Sequence, residues 1–358
     1  MKNIIVVAGA RPNFVKIAPL MYELNKQENR RFFSTKLIHT GQHYDEKMSD
    51  SFFAQLKIPK PDLNLGVGSG THAQQTASIM VKFEEVLMQS QTDLVIVVGD
   101  VNSTLACTIV AKKLNVKVAH IEAGLRSYDM SMPEEINRIV TDSLADLFFT
   151  TTTQAGQNLN ELGVHDDKIH FVGNIMIDSL VSNIQDFKKP EAISKNAGAP
   201  YALLTMHRPS NVDSQDRLQR ILEVISTELN DLNIYFPIHP RTRKNIQALE
   251  ISSKIILLDP LPYLEFMYLV KNTQLVITDS GGIQEETTYL GKPCITIRAN
   301  TERPETIDIG TNELARSEEE LERFLKKFES GEWKKGNIPP LWDGSTAQRI
   351  VSKLKDTI

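Results

Sequence analysis

The run Ser280-Gly-Gly-Ile-Gln-Glu-Glu286 has the residue types that hold a phosphorylated ligand. It follows a strand-like stretch, Gln274-Leu-Val-Ile-Thr278, and opens a helical pattern. A glycine pair at such a junction, Gly281 and Gly282, lets the backbone come close to a ligand. The unpaired N–H groups of the helix start then favour an anion. A carboxylate about one turn in, Glu285 or Glu286, is placed to accept hydrogen bonds from ribose hydroxyls. Phosphate beside ribose is the chemistry of a nucleotide-linked ligand. Arg11, Lys16, Arg208 and Arg303 are candidate clamps for a diphosphate, arginine bidentately and lysine as a point charge. Gln42 and His43, with Thr40, can reach substrate hydroxyls, and His239 joins the polar set at another strand end.

Three carboxylates carry a second kind of chemistry. Asp100 follows the apolar run Leu94-Val-Ile-Val-Val98, Glu122 ends the next strand pattern, and Glu134 begins a helix after Met132-Pro133. Acids at such positions can have their proton affinity tuned by burial and neighbours, which suits proton transfer. Other roles fit the same residues. Glu134 and Glu135 would also complement a helix dipole, Asp100 would also serve as a helix N-cap, and Arg126 or Arg138 would pair with these acids structurally. Beside a diphosphate, acids would repel the ligand unless they act on the sugar, so their presence suggests proton chemistry there.

These groups need a scaffold that gathers strand ends. Short β-branched runs alternate with helical patterns throughout. Strands are expected at 3–7, 34–39, 93–98, 116–121 and 146–150, then at 200–205, 233–238, 255–258, 274–278 and 293–297. Amphipathic stretches such as 71–90, 103–114, 134–145, 213–230 and 317–329 separate most of them. Near-continuous apolar strands imply parallel sheets covered on both faces. Two successive series imply an α/β chain of two Rossmann-like doubly wound domains facing a cleft. The expected division is an N-terminal domain over 1–184, with the carboxylates, and a nucleotide-binding domain over 185–344; a final helix, 345–358, follows. Ligands bind beyond the carboxyl ends of such strands, and that is where the polar motifs fall.

A length of 358 residues suits two domains. The net charge of −5 argues against a nucleic-acid binder, so phosphate must be read by a few placed cations. Cys107 and Cys294 stand apart in apolar contexts and read as buried thiols; no ligand spacing suggests a metal site. The N-terminus enters a strand at once and no apolar run reaches membrane-spanning length, so a cytoplasmic protein is expected.

The motifs Gly9-Ala-Arg-Pro-Asn-Phe-Val-Lys16, Gly99-Asp-Val-Asn-Ser-Thr104, Ile121-Glu-Ala-Gly-Leu-Arg126, Pro133-Glu-Glu-Ile-Asn-Arg138, Thr205-Met-His-Arg-Pro209, Ser280 to Glu286 and Thr301-Glu-Arg-Pro-Glu305 occur in that order. In this the chain resembles the non-hydrolysing UDP-N-acetylglucosamine 2-epimerases from end to end. The resemblance implies the glycosyltransferase-B fold, with the C-terminal helix returning to the first domain. It implies a homodimer acting on a UDP-sugar without metal or nicotinamide cofactor, in cell-surface polysaccharide synthesis. Carried over by motif, Asp100, Glu122, Glu134 and His207 match the family's catalytic positions. Arg11, Ser280, Gly281, Gly282 and Glu286 match its UDP contacts; Lys16, Gln42, His43, Arg138, Arg208, His239 and Arg303 complete the expected substrate site. The stretch His39 to Asp50 is also similar to sister enzymes acting on UDP-2,3-diacetamido glucuronate. A retaining glycosyltransferase would share the fold but would not need these acids.

Overall fold

The computed structural model describes residues 1–42, 55–196, 198–238, 240–247 and 249–358. They form two units. The first comprises Met1–Ser182 and Pro340–Ile358, the second Asn183–Pro339.

In the first unit, strands β1 to β7 are Lys2–Ala8, Phe33–His39, Leu63–Asn64, Leu94–Val98, Lys117–Ile121, Leu147–Thr150 and Ile169–Phe171. They make one parallel sheet in the order β3-β2-β1-β4-β5-β6-β7. Strand order reverses between β1 and β4, which puts a switch point beside Gly9 and Asp100. All five residues of β4 are buried, as its unbroken apolar run demands. Ile5, Val7, Val95 and Val97 pack against Ile79, Phe83 and Val110 from the helices His72–Met88 and Asn102–Lys113.

The C-terminal helix, Thr346–Thr357, belongs to this unit and packs on the helix Arg11–Leu24. Its first amides are met from a distance: Asp178 accepts from Thr346 N at 3.0 Å and Ala347 N at 2.7 Å. Trp342, fully buried, donates to the Thr151 carbonyl and pins the approach to that helix.

In the second unit, strands β8 to β13 are Tyr201–Thr205, Asn233–Pro237, Ile255–Leu258, Leu275–Thr278, Cys294–Ile297 and Asn312–Ala315. Their parallel order is β10-β9-β8-β11-β12-β13. Here the reversal lies between β8 and β11, the strands after which His207 and Ser280 follow. Leu204, Phe236, Ile277 and Ile295 form the core with Leu218, Ile221 and Ile225 of the helix Gln215–Glu228. Cys107 and Cys294 are buried free thiols, both pushed upward in pKa by burial. No helix among the described residues is long and apolar enough to cross a membrane.

Candidate active site

In the first unit the acids gather at the ends of β4 and β5 and at the start of the helix Pro133–Leu144. Gly99 has φ +69°, a left-handed turn that glycine adopts without penalty, and a side chain there would press on Lys16 Nζ. Asp100 follows. Val101 caps the next helix and makes no side-chain cap bond, so Asp100 is left for another partner. Arg138 supplies it: Nε and Nη2 lie 3.1 and 3.0 Å from Asp100 Oδ2. Arg138 is itself buried and pairs with Glu135 on its other side. Its guanidinium is thus held between two carboxylates.

Glu122 has φ +69° without being glycine. Such backbone strain is held only where surroundings enforce it, and it clusters at functional sites. The amides of Glu122 and Ala123 both donate to Phe149 O, at 3.0 and 3.1 Å, a local bulge that turns the Glu122 carboxylate toward Lys16. Both members of that ion pair are buried. Lys16, expected on a diphosphate, is thus the counter-charge of Glu122.

The structure separates the neighbouring acids 134 and 135. Glu135 is fully buried and accepts from Ser127 N, Ser127 Oγ and Tyr128 N at 2.9 to 3.1 Å, which is a loop-holding role. Glu134 is half-buried and engages no partner among the described residues. Gln42 accepts from Ser103 Oγ at 2.8 Å, and its own carbonyl accepts from buried Gln75. Arg11 is described in its backbone only, and His43 and His239 lie outside the described residues.

In the second unit the switch point carries His207 and Ser280. The His207 side chain is 48% exposed, and its Nδ1 sits 3.0 Å from Asp279 Oδ1. Asp279 also accepts from the amides of His207 and Arg208 and from Asn211 Nδ2, at 2.9 to 3.2 Å. Burial alone would raise the Asp279 pKa; the hydrogen bonds, led by that from His207, hold it below the ordinary carboxylate value. Arg208 is oriented by the Asp279 carbonyl, 3.0 Å from its Nε.

Ser280 caps the helix Gly281–Tyr289 without a side-chain bond, so its first amides are not consumed by a cap side chain. A Cβ on Gly281 would stand 2.7 Å from Arg303 Nη1, which explains the glycine by close approach. Arg303 is buried, with Nε 2.8 Å from Glu285 Oε1 and Nη1 paired to Glu302. It braces the loop from beneath. Glu286 is also buried and accepts from Tyr263 Oη at 3.1 Å; burial pushes its pKa up to about 8, despite the opposing Tyr263 bond. Its carboxyl is largely protonated at neutral pH before a ligand arrives.

Sequence reasoning passed over Asp142, Asp279 and Tyr263. Asp279 was adjacent to the glycine motif. Asp142 was signalled by spacing: Glu135, Arg138 and Asp142 recur at i, i+3 and i+7, so polar groups occupy one buried helix face. Among the described residues, no group of three His, Cys, Asp or Glu is placed to hold a metal.

A family described as UDP-N-acetylglucosamine 2-epimerase matches residues 25–355. A relative of that name from Methanococcus maripaludis is 41% identical, covering 98% of each chain. A relative from Pseudomonas aeruginosa named UDP-2,3-diacetamido-2,3-dideoxy-D-glucuronate 2-epimerase is 41% identical over 87% of this chain and 88% of its own. The crystal structure of Methanocaldococcus jannaschii UDP-GlcNAc 2-epimerase, in complex with UDP-GlcNAc and UDP, is similar with a TM-score of 0.88 and 41% identity. It covers 99% of this chain and 100% of the other. Two parallel α/β units of this kind are the glycosyltransferase-B fold class expected from the motif order. The chain belongs to the UDP-N-acetylglucosamine 2-epimerase family.

Proposed function

We propose that the protein interconverts UDP-N-acetylglucosamine and UDP-N-acetylmannosamine by inverting C2 of the sugar. The observation that carries this is two built polar clusters, one in each unit, together with family membership over nearly the whole chain. One is the acid set Asp100, strained Glu122 and Glu134 of the first unit; the other is the Ser280–Glu286 helix start beside His207 of the second. Similarity favours this substrate over the diacetamido-uronate, since the family description and most of the named relatives carry it.

The chemistry follows from the sugar. The C2 hydrogen is not acidic, so its removal must accompany C1–O cleavage. In the α-linked chair the leaving group and this hydrogen are axial and antiparallel, which allows anti elimination of UDP to a 2-acetamidoglucal. Re-addition after protonation from the other face gives the epimer. The charge growing on departing UDP needs donors, supplied in this reading by Arg11, His207 and the amides following Ser280. Glu286 and Tyr263 receive the ribose. The proton and the cationic ring carbon fall to the acids of the first unit. The reading extends to a cytoplasmic homodimer feeding surface-polysaccharide synthesis.

Proton NMR of UDP-N-acetylglucosamine incubated with the protein in D2O tests the core of this. The expected result is the manno epimer with deuterium at C2. An epimer without label defeats the elimination route. Turnover of the diacetamido-uronate alone moves the protein to that substrate.

A further inference from the structure

His120 lies in β5, two residues before Glu122, with no exposed surface. Its Nε2 is 2.9 Å from Gly99 O and its Nδ1 is 2.7 Å from Asp142 Oδ1. Asp142, equally buried, holds its other oxygen 2.6 Å from Arg126 Nη1 and accepts from Gly124 N at 3.1 Å. Those contacts favour the ionised carboxylate. Burial would raise the Asp142 pKa, but the charges and hydrogen bonds of His120 and Arg126 lower it. With the Asp142 carboxylate on one side and a carbonyl on the other, the ring bridges two oxygens, one at each nitrogen.

The two peptides it links are those that carry the acids. Three successive carbonyls at the end of β4 are each taken by a side chain. Val98 O accepts from Asn13 Nδ2 at 2.9 Å and Thr104 Oγ1 at 3.0 Å; Gly99 O accepts from His120; Asp100 O accepts from Asn137 Nδ2 at 2.8 Å. On the other side, Asp142 grips Gly124 in the loop that leaves strained Glu122. One polar chain thus runs from the Asp100 loop, through His120 and Asp142, to the Glu122 loop. We propose that His120, Asp142 and Arg126 form a strut that fixes Asp100 and Glu122 relative to each other, making His120 a positioning residue for the reaction. This rests on the epimerase reading above. A misplacement of about 1 Å between reacting groups is enough to lower a rate a hundredfold.

The test is a kinetic cycle with a spectroscopic control. His120→Gln, which keeps a donor but loses the second bond, should lower kcat about ten- to a hundredfold, with KM changed less than about threefold. In an Asp100→Asn background the same substitution should cost less than about twofold more, because the strut acts through the acid. If His120→Gln fails to fold by circular dichroism, Asp142→Asn, which keeps shape and an acceptor, replaces it in the cycle. Independently, 15N spectra of histidine-labelled wild-type protein in the assay buffer should show His120 with both ring nitrogens hydrogen-bonded. The signal should be absent in His120→Gln and altered in Asp142→Asn. Wild-type kcat in a folded variant, fully additive losses, or a His120 ring nitrogen without a hydrogen bond would each overturn the strut. Absence of epimerisation in wild type would instead strike the functional reading, leaving the spectra to decide the strut.

Discussion

At the scale of single residues, charges expected to meet the ligand are mostly spent within the protein. Lys16 faces Glu122, Arg138 faces Asp100 and Glu135, and Arg303 faces Glu285 and Glu302. A lone sequence position reveals a charge but not the partner that neutralises it, since those partners come from distant elements. What was legible was the set of strand-end positions; what was not was which acid of a neighbouring pair turns inward, as with Glu134 and Glu135. Glu286 offers a sharp test. Glu286→Ala should weaken UDP binding by about 1–3 kcal/mol in calorimetry near pH 7, the loss of a hydrogen bond from a charged or buried group. With its pKa pushed up to about 8, Glu286 meets the ligand mainly as a neutral carboxyl. Glu286→Gln, its neutral isostere, should therefore retain most of the affinity at that pH. Equal losses in both variants would mean that ionised Glu286 is what the ribose needs.

At the scale of elements, the long apolar strands and amphipathic helices were readable because each has a strong period and a buried face. β4 and the helix Asn102–Lys113 match their expected spans within about a residue. β3, β7 and β13 were missed for physical reasons. β3 is two exposed residues at a sheet edge, β7 is a half-buried Ile-His-Phe, and β13 reads Asn-Glu-Leu-Ala with no β-branched residue. Sheet pairing created these strands, and pairing is not a local signal. The C-terminal helix shows the same dependence on distance, since its N-terminal amides are satisfied by Asp178, 168 and 169 positions away in sequence. Asp178→Ala should destabilise the protein by about 1–2 kcal/mol in urea melts, the range for losing an N-cap carboxylate. It should also open the C-terminal helix to proteolysis before the rest of the chain unfolds. Unchanged cleavage of residues 346–357 would show that packing against the helix Arg11–Leu24 alone secures it.

For the molecule as a whole, buried carboxyls pull stability in opposite directions along the pH scale. Asp142 and Asp279 have folded values below the ordinary 3.8. Their contribution is present above that value and is lost as pH falls through the folded values. Glu286 and Glu305 are pushed up from 4.5 to about 8, both chiefly by burial. Between those values the folded chain holds protons that the unfolded chain has released. Their contribution is complete below about 4.5 and disappears as pH rises through about 8, with a slope of up to about 1.4 kcal/mol per pH unit for each group. Glu305 is the cleaner probe, because its carboxyl has no hydrogen-bond partner among the described residues beyond its own backbone amide. It sits beside Glu285 and Glu302, whose charges oppose its ionisation, while Arg303 favours it. Urea unfolding of the wild type at pH 5.5, 7 and 8.5 should show stability falling across the series. Glu305→Gln, which cannot ionise, should flatten that fall and be the more stable protein at pH 8.5. A variant whose pH slope matches the wild type would mean that Glu305 ionises in the folded state at an ordinary value, and that water reaches it.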